Sequence, residues 1–371
     1  VTGDEQLPSD EEAAVRTATI SGGARTAPVP TTAAAACARS ARTPRRTAWR
    51  LGCALVVAAL LLALCGLAAG SEGWSFAWAD EWNLVWSIRA PRTLGALLAG
   101  ALLGLAGAVA QGLFRNPLAD PYLLGSAAGA GLGVVLVLSA AGIAGSAIPI
   151  AAAEGLAQLG LVGAAFAGAL AGVSLALILA HGAARPMVLL LSGVVVGVLL
   201  GALSDLLMLL SPQALRGRQV FLLGTTGFLG WSEAAILGVT LALSLPLAAC
   251  FARALDALVL GEDSAASLGV HLPRARLLLV AVMALCTGSA VAQTGLVAFV
   301  GLVAPHLVRR CVVVTHGALL VLSALTGGVL LQAADVAARI AVAPQELPVG
   351  VLTAVLGGAY LLVLLRRRTT A

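Results

Sequence analysis

The chain has 371 residues, of which 60% are hydrophobic and 11% charged, against the roughly 25% charged residues of an ordinary soluble domain. A water-soluble body is excluded, because only lipid tolerates so few charges on an outer face, and the composition points to an all-α, polytopic membrane protein. The 22 basic residues are all arginines and leave a formal net charge of +5; with no lysine, a GxxxxGK[ST] phosphate loop cannot form, so nucleotide chemistry would sit on a partner chain.

Residues 1–48 join an acidic start (Asp4, Glu5, Asp10, Glu11, Glu12) to a basic end (Arg39, Arg42, Arg45, Arg46) without apolar periodicity. They read as a disordered cytoplasmic leader, and residues 49–371 as the membrane domain. From residue 51 onward, apolar runs recur at the ~20 residues that cross about 30 Å of hydrocarbon. The expected spans are 51–70, 93–114, 122–142, 156–180, 187–210, 233–252, 275–293, 296–308, 312–333 and 347–365, about ten transmembrane helices with the eighth short. Placing the N-terminus inside puts 17 of the 22 arginines on the cytoplasmic side and leaves Arg89, Arg92, Arg216, Arg218 and Arg339 outside. That bias predicts cytoplasmic N- and C-termini and an even number of crossings. The six cysteines lie in the leader or in apolar runs with no CxxC pair, so neither a disulfide nor a zinc site is expected.

Glycines at four-residue spacing, Gly125, Gly129 and Gly133 on the third span and Gly193, Gly197 and Gly201 on the fifth, predict close helix contacts. An internal repeat adds to this. Pro91-Arg92 and Val109-Ala110-Gln111 recur as Pro273-Arg274 and Val291-Ala292-Gln293, each offset by 182 residues. On the expected topology the two copies run in opposite directions, which makes an inverted repeat of the kind found in alternating-access transporters.

Polar groups inside spans cost several kcal/mol unless paired or facing a cavity. The candidates are Gln111, Gln293, Asp205, and Asp335 with Arg339 one helical turn away. The glutamines fit either helix-packing hydrogen bonds or a polar translocation path. Only Asp205 is a lone carboxylate at mid-membrane, which weakens a proton-coupled carrier. His181, His271, His306 and His316 show no metal-ligand pattern, and no catalytic constellation, metal site or cofactor site is evident. Between the second and third spans, Asn116-Pro117-Leu118-Ala119-Asp120-Pro121 breaks the helix, with Asn116 placed to bond freed backbone. Residues 255–271 contain Gly261, Glu262, Ser264, Ala265, Leu268 and Gly269. Ser264 is placed to cap a short amphipathic turn that Gly269 ends; it reads as a handle for a partner or as a solvated loop.

These segments together resemble the iron chelate (FecCD-type) permease family, the membrane subunits of ABC importers for iron-siderophore, haem and vitamin B12 uptake. The resemblance covers about residues 50–368. It is carried by Arg89-Ala90-Pro91-Arg92, Gly107 to Gln111, Asn116 to Pro121, Leu191-Ser192-Gly193, Gly261-Glu262 with Leu268-Gly269, Gly301 to His306, Asp335 with Arg339, and Glu346 to Gly350. Cys311 to Gly317 and Phe221 depart from the family pattern.

The resemblance implies a type II ABC importer permease fold of ten helices in the cytoplasmic (inner) membrane. It implies a second permease chain, as homodimer or with a paralogue, separate ATP-binding cassette ATPase subunits, and an extracytoplasmic substrate-binding protein. By the same resemblance Arg89, Arg92 and Arg339, taken as exposed, dock the binding protein. Asn116, Pro117 and Leu118 form the cytoplasmic gate, and Gly261, Glu262, Ala265, Leu268 and Gly269 belong to the coupling helices of about 255–271 that meet the ATPase. Gln111 and Gln293 are assigned to the translocation path. The implied function is translocation of ferric siderophore without enzymatic activity in this chain. Haem or cobalamin is the alternative cargo, and an ion-coupled secondary transporter the alternative class.

Overall fold

Lipid forces backbone polar groups into local hydrogen bonds, and almost every described residue is helical. The computed structural model describes residues 31–371 apart from 71–72, 77–79, 145–149, 184, 212, 268, 270 and 370–371. By internal contacts the chain forms two units, Val1–Thr43 and Pro44–Ala371. In the first, residues 31–43 are helical, although no order was expected there; the run Ala33 to Ala36 supplies the highest intrinsic helix propensity without any apolar pattern. Residues 1–30 of the expected leader lie outside the described residues.

The second unit begins with α1 (Arg46–Ala68) and a two-stranded ribbon, β1 (Ala69–Gly70) on β2 (Gly73–Trp74). Next is α2 (Trp82–Leu113), which contains a π-helical turn at Val85–Arg89. The helices that follow are α3 (Ser126–Ala144), α4 (Ile150–Leu179), α5 (Pro186–Leu210), α6 (Gln213–Leu223), α7 (Trp231–Cys250) and α8 (Ala252–Val259). The remainder are α9 (Glu262–Ser267), α10 (Leu272–Thr294), α11 (Val300–Cys311), α12 (His316–Ile340) and α13 (Val349–Thr369).

Each of the ten expected spans overlaps a helix. Among the described residues, seven helices are long and apolar enough to cross a membrane, and Ser126–Ala140 and Val349–Leu364 are shorter apolar helices. The expected short eighth span is α11, with 12 residues; Phe299 precedes it at a φ of +66°, unusual for a residue with a Cβ.

Burial ranks the helices. In α2, 83% of the membrane-length window is buried, against 17% in α1 and 22% in α5, so α2 is the axis of the bundle and the other two are peripheral within this chain. It is packed by α7, α10, α11 and α12. Small residues permit that density. A Cβ on Gly107 would lie 1.7 Å from the Gly301 carbonyl oxygen, and one on Gly104 2.1 Å from that of Ser323. Of the stripe expected on the third span, Gly129 and Gly133 make close contacts, with added Cβ atoms 2.1 Å from the carbonyls of Gly168 and Ala164, whereas Gly125 precedes α3 at a φ of +81°. The stripe expected on α5 is corrected, because only Gly193 is in such contact and nothing lies within 4 Å of Gly201.

The repeat is visible in how α2 and α10 pack. The end of α2 and the start of α10 lie together, since Glu262 pairs with both Arg115 and Arg276. At the other ends the Thr225 N–H bonds Thr294 O, while the neighbouring Thr226 hydroxyl bonds Asp335, the partner of Arg92. The two copies are therefore antiparallel.

Candidate functional site

Two polar clusters occupy opposite ends of α2, Arg92 and Arg115 being about 35 Å apart at 1.5 Å per residue.

At the first end, Asp335 is fully buried and accepts from Arg92 Nε at 3.1 Å, from the Thr226 hydroxyl at 2.5 Å, and from Arg339. Arg92 also pairs with Glu346 at 2.8 Å, and Arg89 with Glu81 at 3.0 Å. The guanidiniums of Arg89 and Arg339 donate to the carbonyls of Leu67 and Gly66, at 3.2 and 2.9 Å. Those carbonyls belong to the last turn of α1, where a helix leaves oxygens without partners and carries partial negative charge. The three arginines expected as exposed docking charges are thus corrected: Arg89, Arg92 and Arg339 are 7%, 8% and 1% exposed. Their cause of burial is the covering of the α2 and α12 ends by the end of α1 and by residues 346–348. Gly70 makes room, since a Cβ there would meet Arg89 Nη2 at 2.8 Å. A cavity of about 180 Å³ remains, with Arg89, Arg92, Arg339 and Glu346 in its wall.

At the other end, Asn116 Oδ1 accepts the Leu118 N–H at 2.9 Å, closing the tight turn expected from the sequence. Asn116, Pro117 and Leu118 are exposed. Asp120 caps the 3-10 turn Pro121–Leu124 through the Tyr122 N–H at 2.8 Å; burial raises its carboxyl above the ordinary range, and that hydrogen bond opposes the rise. Nearby, α9 stands between Gly261 and Gly269, at φ +107° and +78°, with Ala265 fully buried and Glu262 half exposed. Glu262 Oε1 lies 2.8 Å from Arg276 and 3.5 Å from Arg115. Leu268 lies outside the described residues. Ser264 is not the cap; the helix begins at Glu262, where two acidic residues suit its first turn. His316 pairs with Asp256 of α8 through its ring at 2.7 Å and its backbone N–H at 2.9 Å.

The translocation-path assignment is also corrected for this chain alone. Gln111, 1% exposed, donates to Leu302 O at 3.1 Å, and Gln293 is 9% exposed. Both sit on helices packed on several sides, so neither faces an open path. Asp205 is not a lone mid-membrane carboxylate: near the end of α5 it pairs with Arg218 of α6 at 2.6 Å. Sequence reasoning missed Glu81, Thr226 and Asp256, and no motif marks them.

Comparison with known proteins gives the family and the fold. The FecCD transport family model matches residues 53–367. The chain is 39% identical over 331 residues to the vitamin B12 import system permease protein of Salmonella paratyphi A, covering 86% of this chain and 95% of that one. It is 37% identical over 328 residues to the hemin transport system permease protein of Yersinia pestis, covering 85% and 94%. It is also 39% identical over 282 residues to the Fe(3+) dicitrate transport system permease protein of Escherichia coli K12, covering 75% and 84%. A solved inward-facing structure of a metal-chelate type ABC transporter superimposes with a TM-score of 0.75 at 26% identity, covering 86% of this chain and 99% of that one.

Proposed function

Since this chain belongs to the FecCD transport family and is a permease subunit of an ABC transporter, not itself an ATPase, we propose that it passes a ferric siderophore inward across the cytoplasmic membrane. Family membership sets aside the ion-gradient carrier. In this reading the chain pairs with a second permease, itself or a paralogue, both termini face the cytoplasm, and α9 meets the ATPase.

The observation that carries the reading is the bipolar arrangement on α2. One end offers a cavity walled by guanidiniums, and the other offers an exposed turn beside an exposed short helix. Carboxylates of a substrate-binding protein would compete with Glu81 and Glu346 for Arg89 and Arg92, and complementary charge of this kind governs docking specificity and rate. Arg339, more deeply buried, supports them. Asn116, Pro117 and Leu118 narrow the cytoplasmic exit, and Gly261, Glu262, Ala265, Leu268 and Gly269 carry the ATPase contact. ATP-driven closure would then bias a two-state element at that end. The Fe(3+) dicitrate relative supports the iron chelate; the haem and B12 relatives supply the competing cargoes.

The test is uptake into vesicles holding the chain with its ATPase and binding protein. Saturable, ATP-dependent accumulation of radiolabelled ferrichrome that survives an uncoupler is expected. Accumulation of hemin or cobalamin instead would overturn the cargo, and uptake abolished by an uncoupler alone would overturn the mechanism.

A further inference from the structure

We propose that Glu262 is the positioning residue through which movement of α9 reaches both the Asn116–Leu118 turn and α10. The inference rests on the reading of α9 as the ATPase contact.

One carboxylate oxygen makes both contacts. It lies 2.8 Å from Arg276 Nη2, on the second turn of α10, and 3.5 Å from Arg115 Nη2, at the end of α2. The two contacts differ in kind. The Arg276 side chain is 3% exposed, so its guanidinium is fixed by packing and that shorter contact is the anchor. The Arg115 side chain is 43% exposed, and a solvent-facing pair at this distance is held weakly enough to open and close. A displaced α9 therefore keeps its hold on α10 and gains or loses its hold on α2.

Sharp turns bound the part that moves. Gly261 and Gly269 flank α9 at φ values that a Cβ resists, which sets the short helix off as a separate unit. Arg115 directly precedes Asn116, and its own φ is +50°, a conformation rare for a residue with a Cβ. A pull on its guanidinium acts on the backbone that enters the turn closed by Asn116 Oδ1 and the Leu118 N–H. The antiparallel repeat explains why one residue suffices. It brings the end of its first copy and the start of its second to the same place, within reach of a single carboxylate.

The test uses the complete transporter in vesicles, in a background without the exposed native cysteines, with Leu118→Cys as a reporter. Labelling by a membrane-impermeant maleimide, applied on the cytoplasmic side, is compared with and without ATP and vanadate. With Glu262 intact, nucleotide trapping is expected to change the labelling rate by at least about fivefold, the lower end of couplings between sites. In Glu262→Gln and in Arg115→Gln the change is lost, the double variant is no worse than either single one, and Arg115→Lys restores it. Arg115→Gln lies outside the ATPase contact, so the ATPase should co-purify with it as with the unchanged chain, which separates loss of transmission from a damaged ATPase contact. If nucleotide changes labelling equally in Glu262→Gln, or if the two single effects add, the proposal is overturned while α9 keeps its ATPase role. If nucleotide has no effect even with Glu262 intact, the reading of α9 itself fails.

Discussion

Asp335 holds the first cluster together, and its removal has a calculable consequence. It is fully buried and accepts from Arg92, Thr226 and Arg339. In Asp335→Ala, Arg92 keeps Glu346 at 2.8 Å. Arg339 keeps the neutral acceptors Gly66 O at 2.9 Å and Thr93 Oγ1 at 3.4 Å but loses its carboxylate. Orphaning one buried charge costs about 3–5 kcal/mol. At about 1.3 °C per kcal/mol for a chain this long, the apparent Tm should fall by about 4–6 °C. Asp335→Asn keeps an acceptor but leaves the same Arg339 charge without a counter-charge, so its loss should be smaller than that of Asp335→Ala only by the retained hydrogen bond, about 1 kcal/mol. Thermal unfolding of the purified chain in detergent, followed by tryptophan fluorescence, measures both. Replacing both partners with apolar residues, as in Asp335→Leu with Arg339→Met, should recover most of the loss, because no charge is left buried alone. A shift within about 1 °C for Asp335→Ala would refute the reasoning, since the Tm scaling then leaves under about 1 kcal/mol for the pair. A double variant worse than the single would refute it equally.

Gly107→Ala places a Cβ 1.7 Å from a backbone carbonyl of α11, so at least the upper part of the 1–3 kcal/mol range for overpacking is expected, about 3 kcal/mol. Gly163→Ala, with nothing within 4 Å, should be neutral or stabilising; the recovery of monodisperse protein on size exclusion compares the two. Burial raises the Asp120 carboxyl, so its folded-state pKa exceeds the unfolded one and ionisation works against the fold as pH rises through that value. Asp120→Asn, which keeps the acceptor for Tyr122 N–H without charge, should therefore hold Tm at neutral pH, whereas Asp120→Ala should lose about 1 kcal/mol of cap.

The spans were legible because hydrocarbon thickness dictates their length, and apolar runs have no other use at that length. The turn at Asn116 was legible because two prolines and an amide leave the backbone few options. The environment of the arginines was not. Arg92 and Asp335 are 243 residues apart in sequence, and a charge at a helix end looks exposed until something covers it. Here the end of α1 does so, drawn by its own unpaired carbonyls, and no local pattern announces that contact. Gln111 misled for a related reason: a polar residue in a span signals a partner, but whether that partner is a pathway or Leu302 O depends on how many neighbours α2 has. The family motifs identified which residues matter and left open what they touch.

Antiparallel α2 and α10 are each followed by a break, and the breaks are tied to one another. The Tyr122 hydroxyl, in the 3-10 turn after the first break, donates to Val297 O in the second at 3.1 Å. Gly295 to Phe299 carries no regular secondary structure, and an unsatisfied carbonyl there is costly away from water. Tyr122→Phe keeps the ring and removes only that donor, so a loss of about 1 kcal/mol is expected, too little to unfold the bundle. Its signature should be local. Hydrogen exchange should accelerate in residues 295–300 as well as in 121–125, and remain unchanged in the middle of α2. Acceleration confined to 121–125 would mean that the second break is held by its other bonds, Leu296 N–H to Phe221 O among them, and that the two breaks move independently.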